Sequence, residues 1–394
     1  MASPAIYPTP PHAFDRAWLA VDLAALRHNA AALRARAGVP LLLLVKANSY
    51  GLGAEAVCRA LGVPFSDARY TPPAGTEAPW GVGVASLDEA ESLRRAGCLG
   101  RIVCCTPLLA DELPRAHALE VRPALHRPED IRAWGALGGG AYHLSIDTGM
   151  ARAGVRWDLV DALRDAVRAV PPEGVFTHFH SADESLPSRI EQDERFDEAL
   201  GQLADVLPRG VLRHRDNSGG IDSRTGGSPG ELARAGIALY AGLFADSLHL
   251  AQTVHLRARI VDVRDVHVGE TVSYGATWTA TGTRRIATLT AGYADGYRRH
   301  LSNAGVVLVH GHRCPVVGRV TMDMTMIDVT DVPCALGDVA TLIGRDGAEC
   351  LTTEAVATLG GLSPYELLVG LVLRVPVVYY DQMPVSHPPV HSAP

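Results

Sequence analysis

Two textures divide this sequence and predict an α/β fold: an N-terminal (β/α)8 TIM-like barrel followed by a mostly antiparallel β domain. Up to about residue 247, short apolar runs alternate with helix-like segments, the spacing of parallel βαβ units. From 248 the long helical patterns stop, and brief β-rich runs with Gly or Asp turns take over. At 394 residues the chain exceeds the usual single-domain size, which suits a barrel plus a second unit. The expected divisions are a barrel domain over 13–247, a β domain over 248–382 and a mobile tail over 383–394.

Taken in order, residues 1–12 are Pro-rich and read as an irregular lead-in. Trp18 to Ala37 carries apolar residues at helical spacing and stops at Gly38. Leu41 to Val45 is an apolar run bounded by turn residues, the pattern of a fully buried parallel strand. A helix follows from about Ala54 to Leu61, then a Pro/Gly-rich insertion over 62–79 that reads as a surface loop. Further strands are expected at Trp80–Ala85, Arg101–Cys105, Val121–Ala124, Tyr142–Ile146, Val175–His178, Val211–His214 and Ala235–Tyr240. Segments such as SLDEAESLRRAG, DLVDALRDAVRAV and DERFDEALGQLADVL supply the intervening helices. With Leu41–Val45 these runs make eight, which favours a barrel over an open sheet. The β-rich half runs from TVHLRARIVDV through ETVSYG, RIATLTAG, GVVLVHG, CPVVGRV, MTMIDVTDV and DVATLIG to RVPVVYYDQ.

Composition narrows the function classes. Apolar residues make up 47% and charged residues 20%, ordinary for a globular protein with a large core. Net charge is −7 with no long Lys/Arg run, so nucleic acid and anionic membranes are poor partners. The longest purely aliphatic run is Leu41 to Val45, far short of a membrane span, and MASPAIYPTPPHAF lacks the features of a secretory signal. Seven scattered cysteines without CxxC spacing argue for reduced thiols in a cytoplasmic enzyme rather than a disulfide framework.

Lys46 stands at the carboxyl end of the Leu41–Val45 run, where barrels and open α/β sheets carry their chemistry. A lone lysine there would read as a surface cation. The whole string VKANSYGLG, however, resembles the VKANAYGHG signature of the alanine racemases, fold-type III pyridoxal phosphate enzymes whose lysine carries the cofactor as a Schiff base. Further blocks continue the likeness. Thr177-His178-Phe179, His214 to Gly220 (HRDNSGG) and Arg234 to Tyr240 (RAGIALY) lie in the first half, with Asp147 to Arg152 (DTGMAR). Val272 to Trp278 (VSYGATW), Gly292 to Tyr297 (GYADGY), Gly318 to Asp323 (GRVTMD) and Pro364-Tyr365-Glu366 lie in the second.

The resemblance implies interconversion of L- and D-alanine by two bases, supplying D-alanine for the cell wall. It assigns Lys46 to the cofactor and to one base, and Tyr274 to the other. Tyr50, Asn217, Ser218, Gly236 and Ile237 fall to the phosphate and its surroundings, and Gly236 lets the backbone approach closely. Arg234 faces the ring nitrogen, where a permanently charged guanidinium cannot hand over a proton. A carbanion is then less fully drained into the ring, which suppresses side reactions such as transamination. His178 matches the histidine linking tyrosine to arginine. Arg152 and the Met322 amide, with Asp323 beside it, fall to the substrate carboxylate, with the cofactor's phenolic oxygen as the alternative partner of Arg152. Tyr365 crowds the pocket, and Tyr293 lines it. The family's tyrosine comes from a partner subunit, so a head-to-tail homodimer is implied.

Several positions depart from the family. Ser145 stands where many relatives carry a carbamylated lysine, so Arg152 needs another support, either a bound anion or the serine hydroxyl. Leu52 replaces the signature's usual histidine, Ala235 a proline and Val377 an arginine. Alternatives stay open: a racemase for serine or other small amino acids, a fold-related aldolase, or a non-enzymatic cofactor carrier of the single-barrel type. For a metal-assisted aldolase, His178/His180 and His310/His312 are the close histidine pairs, but no acidic or cysteine ligands converge near either.

Overall fold

A computed structural model describes residues 16–67, 71–182, 186–224, 226–241, 243–372 and 374–381. The lead-in over 1–12 and the expected tail over 383–394 lie outside the described residues.

The described residues open with strand β1 (Ala17–Asp22) and helix α1 (Leu23–Ala37). This corrects the helix expected from Trp18. Residues 17–21 are buried on both faces, because β1 lies inside a sheet and not along a barrel helix. A strand apolar on both faces loses the period-two signal that would separate it from a helix. The helix starts where the Asp22 side chain accepts from the Ala25 N–H, 2.8 Å away. It stops at Gly38, whose φ of +65° lets its N–H bond the Arg34 carbonyl.

Next come β2 (Leu41–Leu44), β3 (Gly81–Val84), β4 (Ile102–Pro107), β5 (Val121–Leu125) and β6 (His143–Asp147). The short β7 (Val155–Arg156) pairs only with β6; β8 (Gly174–Phe176), β9 (Leu212–His214) and β10 (Ala233–Ala235) complete the set. The parallel order is β10-β2-β3-β4-β5-β6-β8-β9. Hydrogen bonds from Leu232 N–H to Arg213 and from Arg234 N–H to Asp216 bring the ring to near closure. This is the expected eight-stranded barrel. Leu41, Leu42 and Leu43 are buried, each contributing about 1.5–3 kcal/mol of hydrophobic stabilisation. The strand expected over Ala235–Tyr240 ends at Ala235, because Gly236 (φ −117°, ψ −114°) leaves the extended region and 237–239 form a 3-10 turn.

The second sheet contains β11 (Val254–Val266), β12 (Arg284–Leu289), β13 (Val306–Val309), β14 (His312–Pro315), β15 (Thr325–Asp328), β16 (Val339–Asp346), β17 (Glu349–Leu351) and β18 (Val377–Tyr380). Its spine is β14-β13-β16-β11-β1-β18, antiparallel except where β1 meets β18. The first strand of the chain is therefore held by the last two-fifths of it. The insertion is tethered at its start, where Phe65 bridges Cys98 and Arg59 pairs with Asp67 at 2.7 Å. All seven cysteines are unpaired, and no helix among the described residues is long and apolar enough to cross a membrane.

Candidate active site

The strands of a parallel barrel release their last side chains at one rim, and here that rim encloses a cavity of about 400 Å³. Lys46, Tyr50, Arg152, His178, Asn217, Ser218, Arg234, Gly236, Ile237 and Tyr365 all line it. Sequence reasoning named each of these. A larger cavity of about 700 Å³, between α1 and residues 73–79, lies elsewhere and gathers none of them.

Lys46 stands two residues past the end of β2 and begins an unusual turn. Ala47, Asn48, Ser49 and Tyr50 all have φ between +51° and +55°, the left-handed region. Non-glycine residues there cost about 1–2 kcal/mol each, so the surrounding structure must fix the turn. It is held by Ser49 N–H on Val45 O at 2.7 Å, Ala54 N–H on Asn48 Oδ1 at 2.8 Å and Tyr379 OH on Leu52 O at 2.9 Å. Leu52, where the family has histidine, is fully buried beneath this turn.

A cradle forms beside it. The Ser218 hydroxyl accepts from the Gly236 and Ala238 amides at 3.1 and 3.3 Å, and Asn217 caps Gly220. A Cβ on Gly236 would stand 3.0 Å from the Tyr50 hydroxyl and 3.7 Å from Ser218 Oγ, so a side chain there would fill the cradle. Burial, reinforced by Tyr365 and Cys105, pushes the Tyr50 phenol well above its usual range and keeps it a hydrogen-bonding hydroxyl.

Arg234 anchors the opposite wall. Its Nη1 donates to His214 O at 2.6 Å and its Nη2 to Thr177 O at 2.7 Å and Arg215 O at 3.1 Å. Burial brings the guanidinium down to about 10, still charged at neutral pH. Arginine only donates, so the imidazole nitrogens it meets must accept. Those are Nδ1 of His214 at 3.1 Å and Nδ1 of His178 at 3.2 Å. His214 then carries its proton on Nε2, which donates to His143 Nδ1 at 2.7 Å. His143 in turn reaches Glu173 at 3.2 Å, and Glu173 pairs with Arg122 at 2.6 Å. Phe176 stacks on His214 with ring centres 4.9 Å apart.

Sequence reasoning missed His143 and Glu173, which stand in no motif, and gave His214 no role although it opens the HRDNSGG block. It also missed Cys105 and Thr106 on the cavity wall. Burial pushes the Cys105 thiol up to about 11, so it lines the site as a neutral group. Ser145 is buried at the same wall, yet among the described residues no hydrogen bond joins its hydroxyl to Arg152.

Four named residues do not reach this cavity: Tyr274, Tyr293, Met322 and Asp323. Tyr274 was expected on a strand, but 274–276 form a 3-10 turn, because Ser273, Gly275 and Ala276 all take positive φ and leave the ladder. Its side chain is 72% exposed, and Met322 is 52% exposed. Among the described residues no three His, Cys, Asp or Glu side chains gather as a metal site. His178 is engaged by Arg234, His180 by Ser181 and Ser188, and His310 by Asp338 and Pro333.

A parallel barrel whose rim gathers a lysine, a buried guanidinium and a serine–amide cradle, joined to a mostly antiparallel sheet, has the architecture of a barrel enzyme with its site at the strand ends. The family description "Alanine racemase, N-terminal domain" matches residues 21–243, and "Alanine racemase, C-terminal domain" matches residues 253–379. The alanine racemase of Symbiobacterium thermophilum is 38% identical over 378 residues, 92% of this chain and 96% of that protein. The structure of alanine racemase from Streptomyces coelicolor A3(2) gives a TM-score of 0.82 at 32% identity, over 94% of this chain and 99% of the other. That from Bartonella henselae, with covalently bound pyridoxal phosphate, gives 0.78 at 26% identity, over 93% and 99%. This chain belongs to the alanine racemase family and is an isomerase.

Proposed function

We propose that this chain interconverts L- and D-alanine with pyridoxal phosphate held at the barrel rim and two bases on opposite faces of the substrate α-carbon. The observation that carries this reading is the convergence of Lys46, Arg234 and the Ser218–Gly236 cradle in one cavity. The residues fit the cofactor: the Gly236 position is open where a Cβ would intrude, and Ser218 Oγ and backbone amides face it. Lys46 would hold the aldehyde carbon, Ser218, Tyr50, Gly236 and Ile237 the phosphate, and Arg234 the ring nitrogen. When bound, pyridoxal phosphate supplies an electron sink that acidifies the substrate α-proton.

The chain's own residues do the rest. The Lys46 amine takes or returns the α-proton on one face. Arg234, fixed by three carbonyls and two imidazoles, donates a hydrogen bond at the ring nitrogen without giving up its proton. Arg152 binds the substrate carboxylate, and Tyr365, whose ring centre is 6.4 Å from that of Tyr50, limits the side chain. The second base is Tyr274. Its exposure, away from the Lys46 cavity, supports a head-to-tail homodimer in which the partner's Tyr274 enters this site, with Met322, Asp323 and Tyr293 beside it. Unpaired cysteines support a cytoplasmic setting.

The test is Lys46→Ala. The visible absorbance band of protein-linked cofactor and racemisation should both vanish while the fold persists. A Lys46→Ala protein that keeps either one defeats the reading.

A further inference from the structure

Beyond the groups that line the cavity, one side chain holds the backbone that delivers Lys46. Glu89 sits in the first turn of the helix Leu87–Arg95, whose cap is Ser86. Ser86-Leu87-Asp88-Glu89 has the form of a capping box, in which the glutamate folds back onto the cap residue's own N–H. The Ser86 hydroxyl does accept from the Glu89 N–H at 3.3 Å. The carboxylate goes elsewhere. Its Oε2 accepts from the Ala85 N–H at 2.7 Å, and its Oε1 accepts from the Ala47 N–H, also at 2.7 Å.

Those two amides follow the ends of neighbouring barrel strands. Ala85 comes directly after β3, and Ala47 is the residue after Lys46. β2 and β3 pair up to Leu44 and Gly83, and the Val45 N–H makes a last bond to Gly83 O at 2.8 Å. Beyond that point the ladder has stopped and the chain turns left-handed, so Glu89 replaces the missing rung. The Ala85 carbonyl is gripped as well, by the Thr106 hydroxyl, which fixes the β3 side of the clamp to β4. The Tyr379 hydroxyl holds the far end of the turn at Leu52 O, and the backbone–backbone bonds inside it are local, as with Ser49 on Val45 and Gly51 on Ala47. Those local bonds hold the turn's shape without setting where it stands on the rim.

We propose that Glu89 is a positioning residue for Lys46: its carboxylate bridges the Ala47 and Ala85 amides and so sets the point on the barrel rim from which the lysine reaches into the site. This rests on the reading of Lys46 as the cofactor-bearing amine. A carboxylate suits the task because both oxygens must accept. Glutamine offers one acceptor and turns an NH2 toward the second amide, and alanine offers none.

The experiment compares the full-length, cofactor-loaded parent with Glu89→Gln and Glu89→Ala. In Glu89→Ala, kcat should fall by about 10–100-fold, the size expected when a reacting group is displaced by a fraction of an ångström to an ångström, while the alanine KM changes less than about threefold. The pH midpoint of the visible absorbance band should move, and amide exchange at Ala47 and Ala85 should quicken. Glu89→Gln should fall between parent and Glu89→Ala in kcat and in band midpoint. The inference is overturned if Glu89→Ala keeps kcat and band midpoint, or if both variants lose activity only in proportion to a lost folded fraction. An unaltered Glu89→Ala beside a dead Lys46→Ala removes this inference alone. A Lys46→Ala protein that retains the band removes the functional reading instead.

Discussion

Nη2 of Arg234 lies 3.2 Å from Nδ1 of His178, an obligate donor facing an imidazole that burial keeps neutral. Burial, helped by the charges of Arg234, Arg152 and Lys46, pulls His178 down to about 3. Burial likewise lowers His214, with His143 and Arg234 adding to it. Unfolded histidines titrate near 6.5, so as pH falls below that value the unfolded chain takes up protons that the folded chain refuses. Stability should therefore decline as pH drops from about 6.5 toward 3 and be insensitive to these groups above 7. The melting temperature between pH 4 and 8 measures this. His178→Asn should flatten the acid limb, and a His178 resonance titrating near 6.5 in the folded protein would refute the assignment.

Arg234 itself should tolerate no replacement. Arg234→Ala strips the carbonyls of Thr177, His214 and Arg215 of their donor and should cost about 1–3 kcal/mol for each buried acceptor left unmet, read in urea unfolding. Arg234→Lys keeps the charge but concentrates its donors at one point, leaving acceptors unmet at about 1–3 kcal/mol. Equal stability of parent and Arg234→Lys would show that the fork geometry is not being used.

Tyr274→Phe separates folding from chemistry. At 72% exposure the residue should change stability by no more than about 0.5 kcal/mol, whereas loss of a base costs about 10²–10⁴-fold in rate. Mixing decides which chain supplies it. Tyr274→Phe and Lys46→Ala proteins are each expected to be inactive. If the tyrosine acts across a dimer, subunit exchange rebuilds one intact site per mixed dimer, about a quarter of parental activity. No recovery after verified exchange would return Tyr274 to its own chain's site or remove it from the mechanism.

Much of this arrangement could be read from the sequence, and the limits have physical causes. Barrel strands such as Leu41–Leu44 announce themselves because parallel strands covered on both faces become continuous apolar runs. The same property hid β1, whose apolar run merges with the start of α1. Lys46 was legible from the whole string VKANSYGLG around it, since a lysine at a strand end alone reads as a surface cation. The turn at Tyr274 was not, since Ser273 and Ala276 adopt positive φ without being glycine. The segment SLDEAESLRRAG was legible as a helix, but the reach of its Glu89 to Ala47 spans 42 residues and exists only once β2 and β3 are side by side. The His143–His214 pair is tertiary in the same sense, 71 positions apart and 2.7 Å distant.

The β-domain loops bearing Tyr293 and Met322 stay outside the Lys46 cavity and are tied to each other. Arg374 donates to both oxygens of the buried Asp295, at 2.8 and 3.0 Å, and its Nη2 also meets Asp323 at 2.7 Å. Asp295 simultaneously accepts from the Gly292 N–H at 2.9 Å, while the Tyr293 and Ala294 amides bond the Thr321 and Met322 carbonyls at 3.0 Å each. A Cβ on Gly292 would stand 2.3 Å from the Thr321 carbonyl, so the two loops touch backbone to backbone. One guanidinium thus ties the loop bearing Tyr293 to the loop bearing Met322. Arg374→Ala should cost about 1–3 kcal/mol, kept modest because the arginine is half-exposed and water can replace part of what is lost. If these loops form the far wall of a partner's substrate pocket, the variant should raise the alanine KM more than it lowers kcat, and Arg374→Lys should recover part of both. A variant that loses stability but keeps its KM would confine Arg374 to holding the β domain together.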